Sequence, residues 1–446
     1  MSRKRRRRLP PDPFTATVTD LSHDGRGVAR VDDKVVFVHG ALPGERVRFR
    51  ITARRRQYDQ GELLEVLAPS PERVVPRCPH FGVCGGCSLQ HMAPDAQIHR
   101  KQAQLANDLR SIGHLEPAEW WPPLTGPVWG YRRKARLGVK HVPGKGKVLV
   151  GFRERNGRYI ADLSTCPVLH PRVGERLDDL SRLIDGLSVR DRIPQIEVAL
   201  GDEDAALVFR HLEPLSEADR HLLRAFGEVY GFMIFLQPGG PDTVHRLWPE
   251  TGESLLRYRH PAFDVGLRFA PSDFTQVNSE INRAMVERAV AALELSGTEA
   301  VLDLFCGLGN FTLPLARRAG RVTGVEGEAG LIERAEANAR ENGIDNVDFH
   351  VADLADPAAL EVPWASRRYD ALLLDPARAG AELIAAHIGR FQAERIVYVA
   401  CNPATLARDA GLIQAQGYRL ARAGVMDMFP HTTHVESIAV FERRSP

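Results

Sequence analysis

The sequence predicts a multidomain chain. A small N-terminal OB-like β-barrel comes first, then a β-rich central domain, then a C-terminal α/β domain of Rossmann-like, doubly wound form. Three observations carry this reading. Apolar and polar residues alternate in short runs between residues 14 and 67. Four cysteines between 78 and 166 are spaced like ligands. From residue 266 onward, apolar strands alternate with helical stretches. A chain of 446 residues, 43% of them hydrophobic, is too long for one ordinary core and rich enough to build several. No apolar run is long enough to span a bilayer.

The first element is a basic tail, residues 1–13, with Arg3, Lys4 and Arg5–Arg8 ahead of Pro10, Pro11 and Pro13. No apolar segment follows it, so it is not a secretory signal, and a cytoplasmic protein is expected. Phe14, Ala16 and Val18 then alternate with polar residues, Gly25 and Gly27 mark a turn, and Val35–Val38 forms another strand. Val47, Phe49 and Ile51 alternate with Arg46, Arg48 and Arg50, one face apolar and the other basic. Five short strands make a barrel over 14–67, and its arginine face suits a nucleic-acid backbone. The net charge of +2 hides this uneven spread of sign, which points to a polyanionic partner.

The central domain is expected over 68–265. Pro69, Pro71 and Pro76 break the chain before the cysteine loop. Residues 96–112 read as an amphipathic helix with Ile98, Leu105, Leu109 and Ile112 near one face. Asn156-Gly157, between Phe152 and Tyr159, signals a two-residue hairpin. Trp129-Gly-Tyr-Arg-Arg-Lys-Ala-Arg136 reads equally well as an RNA grip or as a basic-faced strand packed by Tyr131. Cys78, Cys84, Cys87 and Cys166 can hold zinc or an iron–sulfur cluster, and spacing alone does not separate the two.

The third domain is expected over 266–446. Its strands are read at Val301–Phe305, Arg321–Val325, Val347–Val351, Ala371–Leu374 and Ile396–Ala400, with a helix at Ile332–Glu341. The first strand ends in Asp303-Leu-Phe-Cys-Gly-Leu-Gly-Asn310, a turn that lets backbone approach a ligand closely. Glu326 closes the second strand, where a carboxylate can take both ribose hydroxyls, and Asp353 follows the third, placed for an adenine edge. Phe311-Thr312 stands where a dehydrogenase fingerprint wants a third glycine. The pattern is therefore that of a class I methyltransferase.

The fourth strand delivers Asp375-Pro-Ala-Arg-Ala-Gly380 to the carboxyl edge of the sheet, and the fifth delivers Cys401-Asn-Pro. A free cysteine is usually buried and inert, which is the reading given to Cys306. Cys401 leaves a strand into a turn beside the cofactor crevice. A ring carbon too weakly nucleophilic to take a methyl group unaided can be activated by a thiolate adding to its neighbour, and a base must then remove the proton it carried. Cys401 is the candidate nucleophile and Glu436, in His434-Val-Glu-Ser437, the candidate base. A free thiol ionises near pH ~8.5, so the thiolate needs local stabilisation that the sequence does not display.

FCGLGNF, LLDPARAG, VACNPATLARD and FPHTTHVES, in this order, resemble the RNA uracil-C5 methyltransferase family over nearly the whole chain. The resemblance implies Cys401 as nucleophile and Glu436 as base. It also implies Gln276, Phe305, Asn310, Glu326, Asp353 and Asp375 around S-adenosylmethionine, with Asp375 also near the uracil. It implies a [4Fe–4S] cluster on Cys78, Cys84, Cys87 and Cys166, structural or RNA-holding. The barrel is similar to the TRAM RNA-binding domain. Barrel and cysteines together imply the ribosomal branch, hence 23S rRNA as partner and a monomeric enzyme. The alternatives are uracil-C5 methylation of tRNA, or an RNA-binding factor of the same fold without activity. A single-stranded or flipped uracil is required, because a thiol cannot reach a base inside a duplex.

Overall fold

The computed structural model of the protein describes residue 9 and residues 11–155 and 157–444. The arginine run Arg3–Arg8 and Asn156 of the expected hairpin lie outside the described residues. Next to it, the Glu154 N–H donates to the Tyr159 carbonyl at 2.9 Å.

Contacts divide the chain into two units. The first holds the described residues up to His99 together with Arg153–Tyr159 and Pro430–Thr433. The second holds Arg100–Phe152, Ile160–Phe429 and the residues from His434 onward.

In the first unit, the alternation predicted for residues 46–51 becomes a strand whose odd positions are buried. Val47 and Phe49 are fully inside and Ile51 nearly so, while Arg46, Arg48 and Arg50 face out. Six strands form one sheet, not the five expected: β1 (Phe14–Thr17), β2 (Asp20–Leu21), β3 (Gly27–Val31), β4 (Lys34–His39), β5 (Arg46–Arg54) and β6 (Tyr58–Ala68), in the order β1-β5-β6-β4-β3-β2. The sixth is β2, two residues long and so without a readable period. Val18, Ala29, Val36, Val38, Val47 and Phe49 fill the barrel. The basic row of β5 is partly neutralised, because Arg48 and Arg50 stand opposite Glu65 and Glu62 of β6, with Arg48 and Glu65 2.8 Å apart.

Helix α1 (Pro94–Asp108) ends in a π turn, Leu109–Gly113. Ile98, Leu105 and Leu109 are buried as expected, but Ile112 is exposed. The wider i→i+5 winding of the π turn rotates it off the apolar face. Strand β7 (Glu119–Trp120) follows.

The central part of the second unit is a six-stranded sheet in the order β13-β12-β11-β10-β8-β9. Its strands are β8 (Lys134–Val142), β9 (Lys147–Gly151), β10 (Gln195–Leu200), β11 (Ala205–Arg210), β12 (Met233–Gln237) and β13 (His245–Trp248). A short α2 (Pro171–Gly174) precedes two amphipathic helices, α3 (Leu177–Asp185) and α4 (Glu217–Tyr230), that cover the sheet. Leu177, Leu180 and Ile184 bury one face of α3 at helical spacing. A hairpin, β14 (Leu256–His260) with β15 (Val265–Phe269), leads into α5 (Ser279–Ala292).

The last sheet contains β16 (Ala300–Leu304), β17 (Arg321–Glu326), β18 (Val347–Val351), β19 (Ala371–Leu374), β20 (Arg395–Ala400), β21 (Tyr418–Met426) and β22 (Glu436–Arg443). Its order is β18-β17-β16-β19-β20-β22-β21-β7. The first five pair in parallel, and β22 pairs antiparallel with both β20 and β21. Helices α6 (Thr312–Ala316), α7 (Ala329–Glu341), α8 (Glu382–His387) and α9 (Pro403–Ala415) connect the strands. Strand β16 lies between β17 and β19, so strand order reverses there, the position at which open α/β sheets bind ligands. Val301, Leu302 and Leu304 of β16 are fully buried on both faces, which explains its continuous apolar run.

Candidate active site

The turn after β16 is where the backbone is forced. Phe305, Gly307 and Gly309 have φ of 65°, 55° and 98°. A Cβ on Gly309 would meet Leu313 at 3.2 Å, whereas a Cβ on Gly307 would point into open space. Gly307 thus leaves room over the turn for a ligand, and Gly309 lets the chain close onto α6. Glu326, at the end of β17, ties the turn to the next strand. It accepts from the Gly307 N–H at 3.1 Å and, through its other oxygen, from the Gly327 N–H at 2.8 Å.

Asn310 is gripped from three sides. Its side-chain oxygen accepts from the Tyr258 hydroxyl at 2.9 Å and from Asn282 at 3.1 Å, and lies 3.0 Å from His260 Nε2. Burial lowers His260 to about 4, so the ring is neutral. Tyr258, His260 and Asn282 were not foreseen. They arrive from β14 and α5 with no motif of their own. Asp353 is exposed and accepts from the Ala355 N–H at 2.9 Å, closing a turn after β18. Gln276 is half-buried between the hairpin and α5.

The reacting pair is built by strand register. In the antiparallel pair β20–β22, Val399 faces Ile438 and Ala400 faces Ser437. Cys401 and Glu436 are the next residues beyond this last pair, and the Glu436 charge is felt at the Cys401 thiol. The Ser437 hydroxyl donates to the Ala400 carbonyl at 3.0 Å and pins this register. Asp375 extends β19, the parallel neighbour of β20. Three proton-binding groups therefore share one strand edge. Cys401 is half-buried and Glu436 only 2% exposed.

Burial dominates their protonation. It pushes Asp375 up to about 7. It holds Glu436 well above the usual carboxylate range, an effect reinforced by Asp375 and opposed by Lys101. It pushes the Cys401 thiol up to about 11, with Glu436 and Asp375 adding and Arg378 opposing. The ground state thus favours the thiol, the reverse of the stabilisation expected. What favours the thiolate is Arg378 together with the amino end of α9, which begins two residues after Cys401 and is capped by Asn402 accepting from the Ala404 N–H at 3.2 Å.

Lys101 was not foreseen either. It lies in α1 among the buried polar residues at 3% exposure. Its ammonium donates to Asp427 Oδ1 at 2.8 Å and to the Phe429 carbonyl at 2.9 Å. Met426, the neighbour of Asp427, pairs with Glu436 in the β21–β22 ladder. A buried ion pair therefore stands beside the carboxylate and limits its rise. Asp409, fully buried in α9, accepts from the Tyr398 hydroxyl at 2.6 Å and the Ala381 N–H at 2.7 Å, anchoring the loop that carries Asp375. Cys306 is buried at 3% exposure with its thiol raised well above its usual range, as expected of an inert cysteine.

The basic stretch after Trp129 resolves toward packing. Arg133 donates to the Gly201 carbonyl, and Lys134 donates to the Pro271 and Asp273 carbonyls. Arg136 is exposed, with Glu197 at 2.8 Å. Tyr131 is buried.

Cys78, Cys84 and Cys87 belong to the first unit and Cys166 to the second; none forms a disulfide. Among the described residues, no three His, Cys, Asp or Glu side chains are gathered as a metal site. In chemistry the loop does suit thiolate ligands. All three of its sulfurs belong to half-buried residues, and the Gly86 N–H donates to Cys84 Sγ at 3.3 Å, a bond that favours a charged sulfur. Gly85 lies where a Cβ would meet the Arg153 carbonyl at 3.0 Å.

Residues 263–444 match the family model described as tRNA (Uracil-5-)-methyltransferase, and residues 13–64 match the TRAM domain. The chain is 56% identical over 440 residues to the 23S rRNA (uracil(1939)-C(5))-methyltransferase RlmD of Alcanivorax borkumensis, with 99% of each chain covered. The chain belongs to the RNA uracil-C5 methyltransferase family. The protein of the same name from Methylococcus capsulatus is 54% identical over 442 residues, again with 99% of each covered. Among solved structures, the tRNA (uracil-54, C5)-methyltransferase of Pyrococcus abyssi in complex with S-adenosyl-L-homocysteine aligns with a TM-score of 0.74 at 25% identity. The alignment covers 96% of this chain and 100% of that one.

Proposed function

We propose that this protein methylates C5 of a uracil in 23S rRNA, with S-adenosylmethionine as donor. The reading is supported by the β20–β22 register, whose last pair, Ala400 and Ser437, adjoins Cys401 and Glu436, and by the Gly307–Gly309 turn after the parallel strand β16. The full-length identity to curated 23S rRNA enzymes supports the ribosomal substrate over tRNA.

The Cys401 sulfur bonds to C6 of the pyrimidine, and the electron pair of the C5–C6 double bond moves toward C5 and O4. C5 then takes the methyl from the sulfonium, leaving the neutral thioether S-adenosylhomocysteine. Glu436 removes the C5 proton, the C6–S bond breaks, and the double bond re-forms as the thiolate leaves. A carboxylate whose proton affinity is raised by burial is a stronger base for a carbon acid than an exposed one. Around the donor we assign Glu326 to the ribose, Gln276, Phe305 and Asp353 to the lining, and Asp375 to the junction with the uracil. The side chain of Asn310 is held by Tyr258, His260 and Asn282, which suits it to shaping the turn.

We assign a [4Fe–4S] cluster to Cys78, Cys84, Cys87 and Cys166 as a structural group. When bound, it would be held by iron–thiolate bonds. The working division is barrel 14–67, central domain 68–265 and methyltransferase domain 266–446, in a monomer. Among the described residues, no helix is long and apolar enough to cross a membrane, and a cytoplasmic enzyme fits its substrate.

The test is incubation of unmodified 23S rRNA with labelled donor. Cys401→Ala abolishes transfer while keeping donor binding. Glu436→Gln accumulates a protein–RNA adduct that resists denaturing gels. Turnover by Cys401→Ala, or normal product release by Glu436→Gln, overturns the assignment.

A further inference from the structure

The first unit contains a cavity of about 410 Å³ on the outer side of the barrel. Arg26, Phe37, His39, Gln60, Glu62 and Arg155 are among its lining residues. Its size falls in the range of small-ligand pockets.

The charges cancel. Arg26 stands 2.7 Å from Asp24, and Arg155 stands 3.0 Å from Glu62, all four lining the same space. A phosphate entering here would meet no surplus cation and would have to displace Glu62 or Asp24. The cavity therefore suits an uncharged ligand.

It also offers a flat surface and an edge to read. The Arg26 guanidinium lies over the Phe37 ring at 4.8 Å, and Phe37 is braced by Tyr58 at 5.3 Å. A guanidinium held flat in this way is a platform for stacking a base. Thr52 and Gln60 present hydroxyl and amide groups, and Glu62 presents carboxylate oxygens.

We propose that this cavity seats an unstacked nucleobase of the RNA substrate, a second base besides the one that meets Cys401. The proposal rests on the reading that the chain acts on RNA. It adds a base-reading site to a barrel face whose arginine row would otherwise contact only backbone.

The test is the affinity of the full-length protein for an unmodified 23S rRNA transcript, measured by filter binding across a salt series. The variants are Gln60→Ala, which removes a reading group, and Thr52→Trp, which fills the space. Their melting midpoints report on folding. Loss of one stacked base weakens binding about fivefold or more. The slope of log Kd against log salt stays that of the wild type, because no phosphate contact is lost. Unchanged affinity in both variants overturns the proposal. So does a slope reduced by about 0.7, the signature of one lost phosphate contact on a single strand. Full competition by micromolar free nucleoside monophosphate also overturns it, since the site would then serve a small metabolite. Turnover of the wild type on the same transcript checks the functional reading separately.

Discussion

Replacing Lys101 by methionine keeps the length and apolar stem of the side chain but removes its ammonium. The two acceptors left behind are Asp427, 4% exposed at its side chain, and the Phe429 carbonyl. Breaking a buried ion pair from one side costs about 3–5 kcal/mol, because the remaining charge has lost its partner. Lys101→Met should therefore lower the unfolding free energy by about that amount, and the denaturant midpoint with it. The effect on chemistry is separate. Lys101 is the group that opposes the raised proton affinity of Glu436. Without it the carboxylate holds its proton to higher pH, and transfer at pH 7 falls and recovers as pH is raised. The double variant Lys101→Met with Asp427→Leu distinguishes the two roles. It regains stability, since no orphan charge remains, but keeps the shifted pH profile. Urea unfolding followed by tryptophan fluorescence, with single-turnover transfer between pH 6 and 9, reads both. If Lys101→Met is as stable as the wild type and shows its pH profile, the reasoning about this ion pair is wrong.

Because the Cys401 thiol is pushed up to about 11, it is protonated near neutrality. The thiolate fraction then grows about tenfold per pH unit below that value. Transfer under limiting RNA should rise steadily from pH 7 to 9, and a flat profile would mean that substrate binding itself ionises the sulfur. Asp303 is fully buried, pushed up to about 8, and accepts from the Thr312 hydroxyl at 2.6 Å. A neutral side chain therefore belongs there at pH 7. Asp303→Asn should shift thermal stability by less than about 1 kcal/mol, and Asp303→Leu should cost more by orphaning the Thr312 hydroxyl. Protein purified without oxygen should carry about four iron atoms per chain and lose them in Cys84→Ser; colourless protein with zinc would replace the cluster assignment.

Much of the methyltransferase part was readable along the chain. Strands buried on both faces, such as Val301–Leu304 and Ala371–Leu374, leave unbroken apolar runs, and the Gly307–Gly309 turn announces itself by composition. The period-two pattern of residues 46–51 likewise predicted which side of β5 faces inward. Ile112 misled, because a helical period assumes α winding and the chain there forms a π turn.

Local pattern, being a matter of backbone geometry and side-chain polarity, was enough to expect an α/β methyltransferase domain behind a small barrel and to single out the glycine turn, Cys401 and Glu436 as candidates. Tertiary structure alone decided the protonation and support of those residues. Lys101 reaches Asp427 across more than three hundred positions, and Asn310 is held by residues from a hairpin and a helix far upstream. Burial and charge at a point in space depend on every element folded around it, and no spacing along the chain encodes that sum. The same reason hid the barrel cavity, whose lining joins β-strand residues to Arg155 from a distant segment.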